Sequence, residues 1–351
     1  MFHSLRVAAV EQLTDDSVAV TLRVPPELRE TFRHTPGQHL ALRRVVQGEE
    51  IRRTYSICAP AVPPGADPVL RVGIRLVDGG EFSTYALKEL SVGDPVEVMP
   101  PMGRFLLDPR PGYFAAIVGG SGITPVLSMA ATVLAREPKS RFCLIRSDRT
   151  MASMMFLDEV ADLKDRFPDR FQLVTTLSRE EQQSGLPSGR LDRERLSGLL
   201  PSLLPVEDVD GWFLCGPFGL VMGAERALRG LGVDRSRIHQ EIFHVDDGSA
   251  PAPAPLAAPA HASLTATLDG RSGTWPVKEG ESLLETVLRA RSDAPYACKG
   301  GVCGTCRAFL VSGEVRMDRN FALEPEETDS GYVLACQSHP ATSEVELDFD
   351  R

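Results

Sequence analysis

The 351-residue chain has no apolar run near the roughly 20 residues that cross a bilayer, so no membrane span is expected. Its opening residues, MFHSLRVAAVEQLTDD, turn acidic before an apolar core develops, so no secretory signal is expected either. A basic excess is missing too. Lys and Arg number 38 against 48 Asp and Glu, and the net charge of −10 argues against a nucleic-acid partner. There is no internal repeat. A composition of 42% hydrophobic and 25% charged residues is that of a folded globular protein rather than a disordered one. Cysteine is sparse and odd in number, at seven, which fits a reducing cytoplasmic setting better than a disulfide framework.

Four of those cysteines form a pattern. Cys298, Cys303, Cys306 and Cys336 read as C-x4-C-x2-C, then 29 residues, then C. This is the spacing with which plant-type ferredoxins hold a [2Fe–2S] cluster on four thiolates. The intervening Lys299-Gly300-Gly301-Val302 and Gly304-Thr305 are small enough for a loop to wrap closely and aim backbone N–H groups at sulfur. A four-cysteine zinc site, the alternative, more often pairs two short CxxC knuckles. Cys58, Cys143 and Cys215 remain, each in an apolar or strand-like stretch.

Length alone calls for two or three domains. The clearest boundary is the Pro/Ala-rich stretch from Asp246 to His261, which reads as an extended, semi-stiff linker. Residues 262–351 beyond it carry fifteen acidic and nine basic residues, a local net charge of −6 that could steer them to a basic docking face. A second change of character falls near Pro109. Short β-like runs before it (Val18–Val24, His39–Arg43, Arg53–Cys58, Val69–Val77, Val96–Met99) predict a small antiparallel barrel over 1–108. After it, strands at Phe114–Val118, Phe142–Arg146, Phe171–Thr176, Trp212–Cys215 and Ile238–Phe243 alternate with helical patterns. That alternation predicts a doubly wound α/β domain over 109–245. In the last module, Ser263–Leu268 and Thr274–Val277 read as a hairpin and Ser282–Arg291 as a helix.

Three further motifs suit nucleotides. Arg53-Thr54-Tyr55-Ser56 sets a cation, an aromatic ring and hydroxyls along one strand, able to meet a phosphate, a flat ring and its edge. The stretch Gly79-Gly80-Glu81-Phe82-Ser83-Thr84 opens a helical pattern, whose N-terminal N–H groups and hydroxyls suit an anion. The third, Gly119-Gly120-Ser121-Gly122-Ile123-Thr124-Pro125, follows an apolar strand, where glycines admit phosphates to the backbone. Each also has a plain reading as surface, cap or turn. Ligands of doubly wound sheets sit beyond the C-terminal strand ends, so Cys215-Gly216-Pro217 should face the same crevice as Gly119–Thr124. Ser178-Arg179, at the rim, suits a phosphate monoester and so NADPH over NADH.

In this order the motifs resemble the ferredoxin–NADP reductase superfamily with a plant-type ferredoxin fused at the C-terminus. A closer resemblance, in Cys298–Cys306, Met317–Glu324 and Gly331–Pro340, is to the reductase subunits of multicomponent phenylacetyl-CoA epoxidases. The resemblance implies a flavin-binding antiparallel β-barrel, a doubly wound α/β nucleotide domain and a β-grasp-type α+β ferredoxin domain. It implies Arg53 and Thr54 by the flavin, Tyr55 stacked on its ring and Ser56 near its N5. It places Gly80, Phe82 and Ser83 at the FAD phosphates, and Gly119, Gly120, Ser121, Gly122 and Thr124 at the NADP pyrophosphate. Ser178 and Arg179 would take the 2′-phosphate, with Cys215, Gly216 and Pro217 beside the nicotinamide. Glu241 would be a polar group near the flavin, with Phe243 close by. Arg149 matches a family position, whereas Ser147 and Asp148 depart from the usual Gly-Asn.

The resemblance further implies electron flow from NADPH through FAD and [2Fe–2S] to the oxygenase component of a multicomponent monooxygenase, a di-iron phenylacetyl-CoA epoxidase. Ser56, Cys215 and Glu241 are the residues it sets around hydride transfer. Another oxygenase, such as a ketosteroid hydroxylase or a Rieske-type demethylase, is the alternative partner, and a zinc scaffold the non-redox alternative. His34, His239, His244 and His339 are expected to be ordinary surface or core residues.

Overall fold

The computed structural model describes residues 2–180, 188–244 and 261–351. The expected linker, apart from His261, lies outside them. The chain divides into two compact units, residues 2–245 and residues from 246 onward.

The first unit begins with six antiparallel strands: β1 (His3–Thr14), β2 (Ser17–Arg23), β3 (His39–Val46), β4 (Glu49–Ser56), β5 (Leu70–Arg75) and β6 (Pro95–Val98). Their order is β4-β3-β6-β1-β2-β5. The edges meet through an Ile57–Val72 bridge and a Cys58 N–H bond to Arg71 O at 2.8 Å, which curls the sheet into a barrel. Strand periodicity explains the core. Val18, Val20 and Leu22, Leu40 and Leu42, and Leu70, Val72 and Ile74 all point inward. Burying each such side chain contributes about 1.5–3 kcal/mol. Helix α1 (Glu81–Lys88) adds Phe82 and Ala86 to this core. Strand β1 has register shifts at Val7/Ala9 and Gln12/Thr14, which break the period of two in its sequence.

Five parallel strands follow, β7 (Tyr113–Gly119), β8 (Arg141–Asp148), β9 (Phe171–Leu177), β10 (Gly211–Pro217) and β11 (Ile238–His244), ordered β11-β10-β7-β8-β9. Helices α2 (Ile123–Arg136), α3 (Leu157–Arg166), α4 (Arg193–Leu203) and α5 (Phe218–Gly230) connect them. Every residue of β7 is buried, as the centre of a parallel sheet requires. The chain runs from β7 to β8 on one side and later to β10 on the other, so the topological switch lies between β7 and β10.

The two sheets of this unit pack together along β5. A Cβ on Gly73 would lie 2.7 Å from Thr124 Cγ2 and 2.8 Å from Phe156, so this glycine permits the approach. Arg71 donates to Glu11 at 2.6 Å and Glu159 at 2.9 Å, and stacks over Phe156.

In the second unit, β12 (Ser263–Leu268) and β13 (Arg271–Pro276) form a hairpin closed by Asp269 and Gly270, both at positive φ. Helix α6 (Leu283–Leu288) starts on a Ser282/Glu285 capping box. Next come β14 (Arg307–Ser312), β15 (Val315–Met317), α7 (Pro325–Asp329), β16 (Tyr332–Leu334), β17 (Ser338–Pro340) and β18 (Glu344–Asp348). The main sheet runs β13-β12-β18-β14-β16, with β12 parallel to β18. The cysteine loop lies between α6 and β14.

Candidate functional site

At the switch point the two glycine loops touch backbone to backbone. Cys215 pairs with Val118, so β7 and β10 end side by side. A Cβ on Gly122 would stand 2.3 Å from Cys215 O, and one on Gly216 only 2.9 Å from Gly119 N. Gly120 and Gly216 sit at φ +55° and +140°, which glycine alone adopts freely. Ser121 O accepts the Thr124 hydroxyl at 2.9 Å and fixes the turn into α2. Gly119–Gly122 and Cys215–Pro217 thus lie side by side at the C-terminal ends of β7 and β10.

Ser56 ends β4, Cys215 lies in β10 and Glu241 in β11, and the fold brings all three together. The Ser56 hydroxyl donates to Glu241 Oε2 at 3.4 Å, and the Cys215 thiol contacts the same oxygen at 4.0 Å. Burial pushes the Glu241 carboxyl up to about 8, opposed by the Ser56 hydrogen bond. The Cys215 thiol is raised by burial and by the neighbouring Glu241.

His39 joins this group, and sequence reasoning missed it. It opposes Ser56 across the β3–β4 ladder, and its Nδ1 lies 3.9 Å from Glu241 Oε1. The available signal was the pairing itself, because strand partners present their side chains on one face.

Arg53 and Tyr55 share the opposite face of β4 from Ser56 by alternation. Arg53 is exposed and donates to Arg52 O at 2.7 Å, whereas half-buried Tyr55 has its ring 5.6 Å from that of Phe82. Thr54 lies between them, half-buried. The Ser83 hydroxyl is engaged within the turn that opens α1. It accepts from Val77 N and donates to Gly80 O, both at 3.1 Å, and is buried in its own turn. Phe82 is buried in the barrel core, so what α1 offers an anion is its first-turn N–H groups after Gly80.

At the rim, β8 and β9 extend past their ends. Ser178 N bonds Asp148 O and Arg179 N bonds Arg149 O, each at 2.9 Å. The Arg149 and Arg179 side chains are both exposed there and Ser178 is half-buried. Asp148, at the position departing from the family pattern, pairs with buried Arg146 at 2.9 Å. Arg75, a residue the motifs did not single out, sets its Nη1 3.0 Å from where a Gly120 Cβ would be, and it also donates to Ser153 O. A cation from the barrel therefore overhangs the glycine loop.

In the second unit the four cysteines form two pairs. A hydrogen bond from Cys303 holds the Cys298 thiol down to about 5, helped by backbone N–H groups of Gly300, Val302 and Cys303. Cys306 likewise lowers Cys336, and the donor partners Cys303 and Cys306 are raised. Lys299, Gly301 and Gly304 adopt positive φ, which turns N–H groups toward sulfur. Phe321 N bonds Gly301 O at 3.0 Å, and Gln337 Nε2 bonds Lys299 O at 2.9 Å, so the segments around Met317–Glu324 and Cys336 brace the loop. Among the described residues no three His, Cys, Asp or Glu converge on a point that suits one ion. Two thiol pairs cradled by N–H groups offer the four sulfur ligands that a two-iron cluster requires. His339 bonds Glu281 O at 3.0 Å and Asp318 at 3.2 Å, as an ordinary structural histidine.

Three family models match in order: an oxidoreductase FAD-binding domain over 4–106, an oxidoreductase NAD-binding domain over 116–226, and a 2Fe-2S iron–sulfur cluster binding domain over 266–341. The chain is 43% identical over 99% of its length to a subunit of the 1,2-phenylacetyl-CoA epoxidase of Escherichia coli (strain K12), covering 98% of that protein. It is 30% identical, over 98% of its length and 96% of the other, to the ferredoxin reductase component of a 3-ketosteroid-9-alpha-monooxygenase of Rhodococcus rhodochrous. Among solved structures, phthalate dioxygenase reductase superposes with a TM-score of 0.60 at 26% identity, covering 99% of this chain and 98% of that one. The chain belongs to the family of that phenylacetyl-CoA epoxidase component, NAD(P)H-dependent electron-transfer reductases that join FAD-binding, NAD-binding and 2Fe–2S domains.

Proposed function

We propose that this chain is the cytoplasmic, NADPH-oxidising reductase of a phenylacetyl-CoA epoxidase, and that its crevice between the two sheets is where the pyridine nucleotide meets the flavin. The observation that carries this reading is the convergence of the Gly119–Gly122 and Cys215–Pro217 loops beside the Ser56–Glu241 pair. FAD, when bound, would supply hydride acceptance from NADPH and single-electron release, and a [2Fe–2S] cluster would supply one-electron transfer to the oxygenase.

The chain's residues bind and orient. Arg53 and the first-turn N–H groups of α1 meet the flavin phosphates, and Tyr55 and Thr54 flank its ring system. Ser56 and Glu241 hold a proton near the flavin edge, and Cys215, without a charge of its own, fills the space beside the nicotinamide. The open backbone of Gly119–Gly122, with Arg75 above it, takes the pyrophosphate. Arg149, Ser178 and Arg179 form the 2′-phosphate site, which favours NADPH over NADH. Cys298, Cys303, Cys306 and Cys336 hold the two irons.

The likeness to the E. coli epoxidase component over almost the full length supports that oxygenase as partner. The test is NADPH oxidation with purified epoxidase and phenylacetyl-CoA, with NADH as comparison. A red-brown protein with overlapping flavin and iron–sulfur bands, turning over only with its oxygenase, is the expected outcome. A colourless zinc protein would overturn the reading, and failure to support this epoxidase would overturn the partner.

A further inference from the structure

The turn from Asp148 to Met155 carries Arg149 to the rim, and a single buried guanidinium holds both of its ends. Arg146 Nε donates to Asp148 Oδ2 at 2.9 Å, and its Nη2 donates to Met155 O at 3.2 Å. We propose that Arg146, through this clasp, is a positioning residue for the coenzyme phosphate site at the rim, and so a determinant of the preference for NADPH. The proposal rests on the reading of Arg149, Ser178 and Arg179 as that site.

Each rim residue is tied to the clasped turn. Arg149 is part of it. Asp148 O accepts from Ser178 N, and Arg149 O from Arg179 N, each at 2.9 Å. A third tie runs from Met151 N to the Glu180 carboxylate at 2.9 Å. Within the turn, a Thr150/Ser153 capping box fixes the local geometry. The rim therefore inherits its placement from whatever holds Asp148 and Met155, and Arg146 holds both.

Packing alone does not account for the clasp. The Arg146 side chain is fully buried and that of Asp148 is 2% exposed. Arg146 Nη1 and Asp148 Oδ1 are buried there without a hydrogen-bond partner. Apolar residues would fill such a place at lower cost, since a buried ion pair regains its lost hydration only when its bonds are complete. The turn also leaves through Phe156 at φ +57°, a conformation that bulky residues rarely adopt. Two unfavourable features at the foot of one turn mark a geometry kept for use. Charge fits the same role. Asp148 precedes Arg149 and bonds Ser178, so a lone carboxylate there would repel a phosphate, and the guanidinium 2.9 Å away offsets it. The planar fork matters because it reaches two acceptors in fixed geometry, which a lysine ammonium does not.

The test is Arg146→Lys, which keeps a cation beside Asp148 but not the fork. Amide hydrogen exchange of the full-length protein without coenzyme reads the clasp itself. The Ser178 and Arg179 amides should exchange at least about tenfold faster than in wild type, while those of β7 keep their protection. If Arg146→Lys does not fold, Arg146→Met/Asp148→Asn, which leaves no buried charge, takes the same measurement. Unaltered exchange, or a loss spread evenly over β7 and the rim, overturns the clasp. Steady-state kinetics read its use. KM for NADPH should rise roughly tenfold, the equivalent of one charge-assisted bond, with KM for NADH and both kcat values little changed. Loss of folded enzyme alone would lower kcat with both coenzymes and leave the two KM values in place, which would also overturn the proposal. A coenzyme preference that moves in Ser178→Ala/Arg179→Ala but not in Arg146→Lys overturns it and leaves the rim assigned. One that moves in neither variant overturns both.

Discussion

Gly122→Ala is the most direct probe of the crevice. Gly122 has an ordinary φ of −60°, so alanine brings no backbone strain, and any effect is steric. The added methyl would sit 2.3 Å from Cys215 O, 2.5 Å from Cys215 C and 2.9 Å from Gly216 N. Ordinary contact begins near 3.4 Å, so the loops must part by about 1 Å, and backbone atoms have no rotamer with which to yield. Overpacking of this kind costs about 1–3 kcal/mol, or roughly 2–10 °C in Tm for a unit of this size. Hydride transfer should suffer more, since a displacement of about 1 Å at a reacting geometry costs about 100-fold. The assay is stopped-flow flavin reduction by NADPH, beside reduction by dithionite, which needs no nucleotide site. Gly198→Ala in α4, where a Cβ meets nothing within 4 Å, is the control. Gly122→Ala that matches this control in NADPH-driven rate would refute the assignment of the crevice, whatever its Tm.

Three other outcomes follow from the geometry. The Ser178→Ala/Arg179→Ala double variant should raise KM for NADPH at least tenfold while sparing NADH, because charge-assisted bonds to a phosphate contribute about 1.5–3 kcal/mol each; an unaltered coenzyme preference removes that site. Cys336→Ser should eliminate iron–sulfur absorption and acceptor reduction while flavin reduction by NADPH continues, and a retained cluster spectrum would exclude Cys336 as a ligand. Glu241 is raised on folding from 4.5 to about 8, so its contribution is greatest below pH 4.5 and is lost as pH climbs through 8. With the side chain only 13% exposed, chemical denaturation should show wild type losing up to about 5 kcal/mol relative to Glu241→Gln across that window, and parallel stability curves would contradict the buried carboxyl.

Much of the fold was legible because it follows from local pattern. Alternating Val18, Val20 and Leu22 and the apolar run of β7 declare their strands, and cysteine spacing alone marks the loop in the second unit. Strand β1 escaped notice because its two register shifts destroy the alternation by which half-buried strands are recognised. The site was legible as a set of loops but not as a set of contacts. Ser83 reads as an anion ligand from its place after Gly80, whereas its bonds to Val77 and Gly80 are visible only in the folded turn. The meetings made by His39 and Arg75 were hidden for the opposite reason. Their neighbours, Glu241 and Gly120, are remote in sequence, and nothing local in either residue announces the meeting.

The contrast between the floor and the rim of the crevice bears on how such reductases diversify. The floor is glycine backbone against glycine backbone, with no side chain that could be exchanged without prising the sheets' loops apart. The rim is made of exposed Arg149 and Arg179 and half-buried Ser178, on strand extensions joined by main-chain bonds between Ser178 and Asp148 and between Arg179 and Arg149, which any residue can make. On the proposed assignment of the rim to the 2′-phosphate, single substitutions there are sterically free to alter coenzyme preference, whereas any side chain added at the floor meets backbone. A change of coenzyme would then leave the contact between the two loops undisturbed.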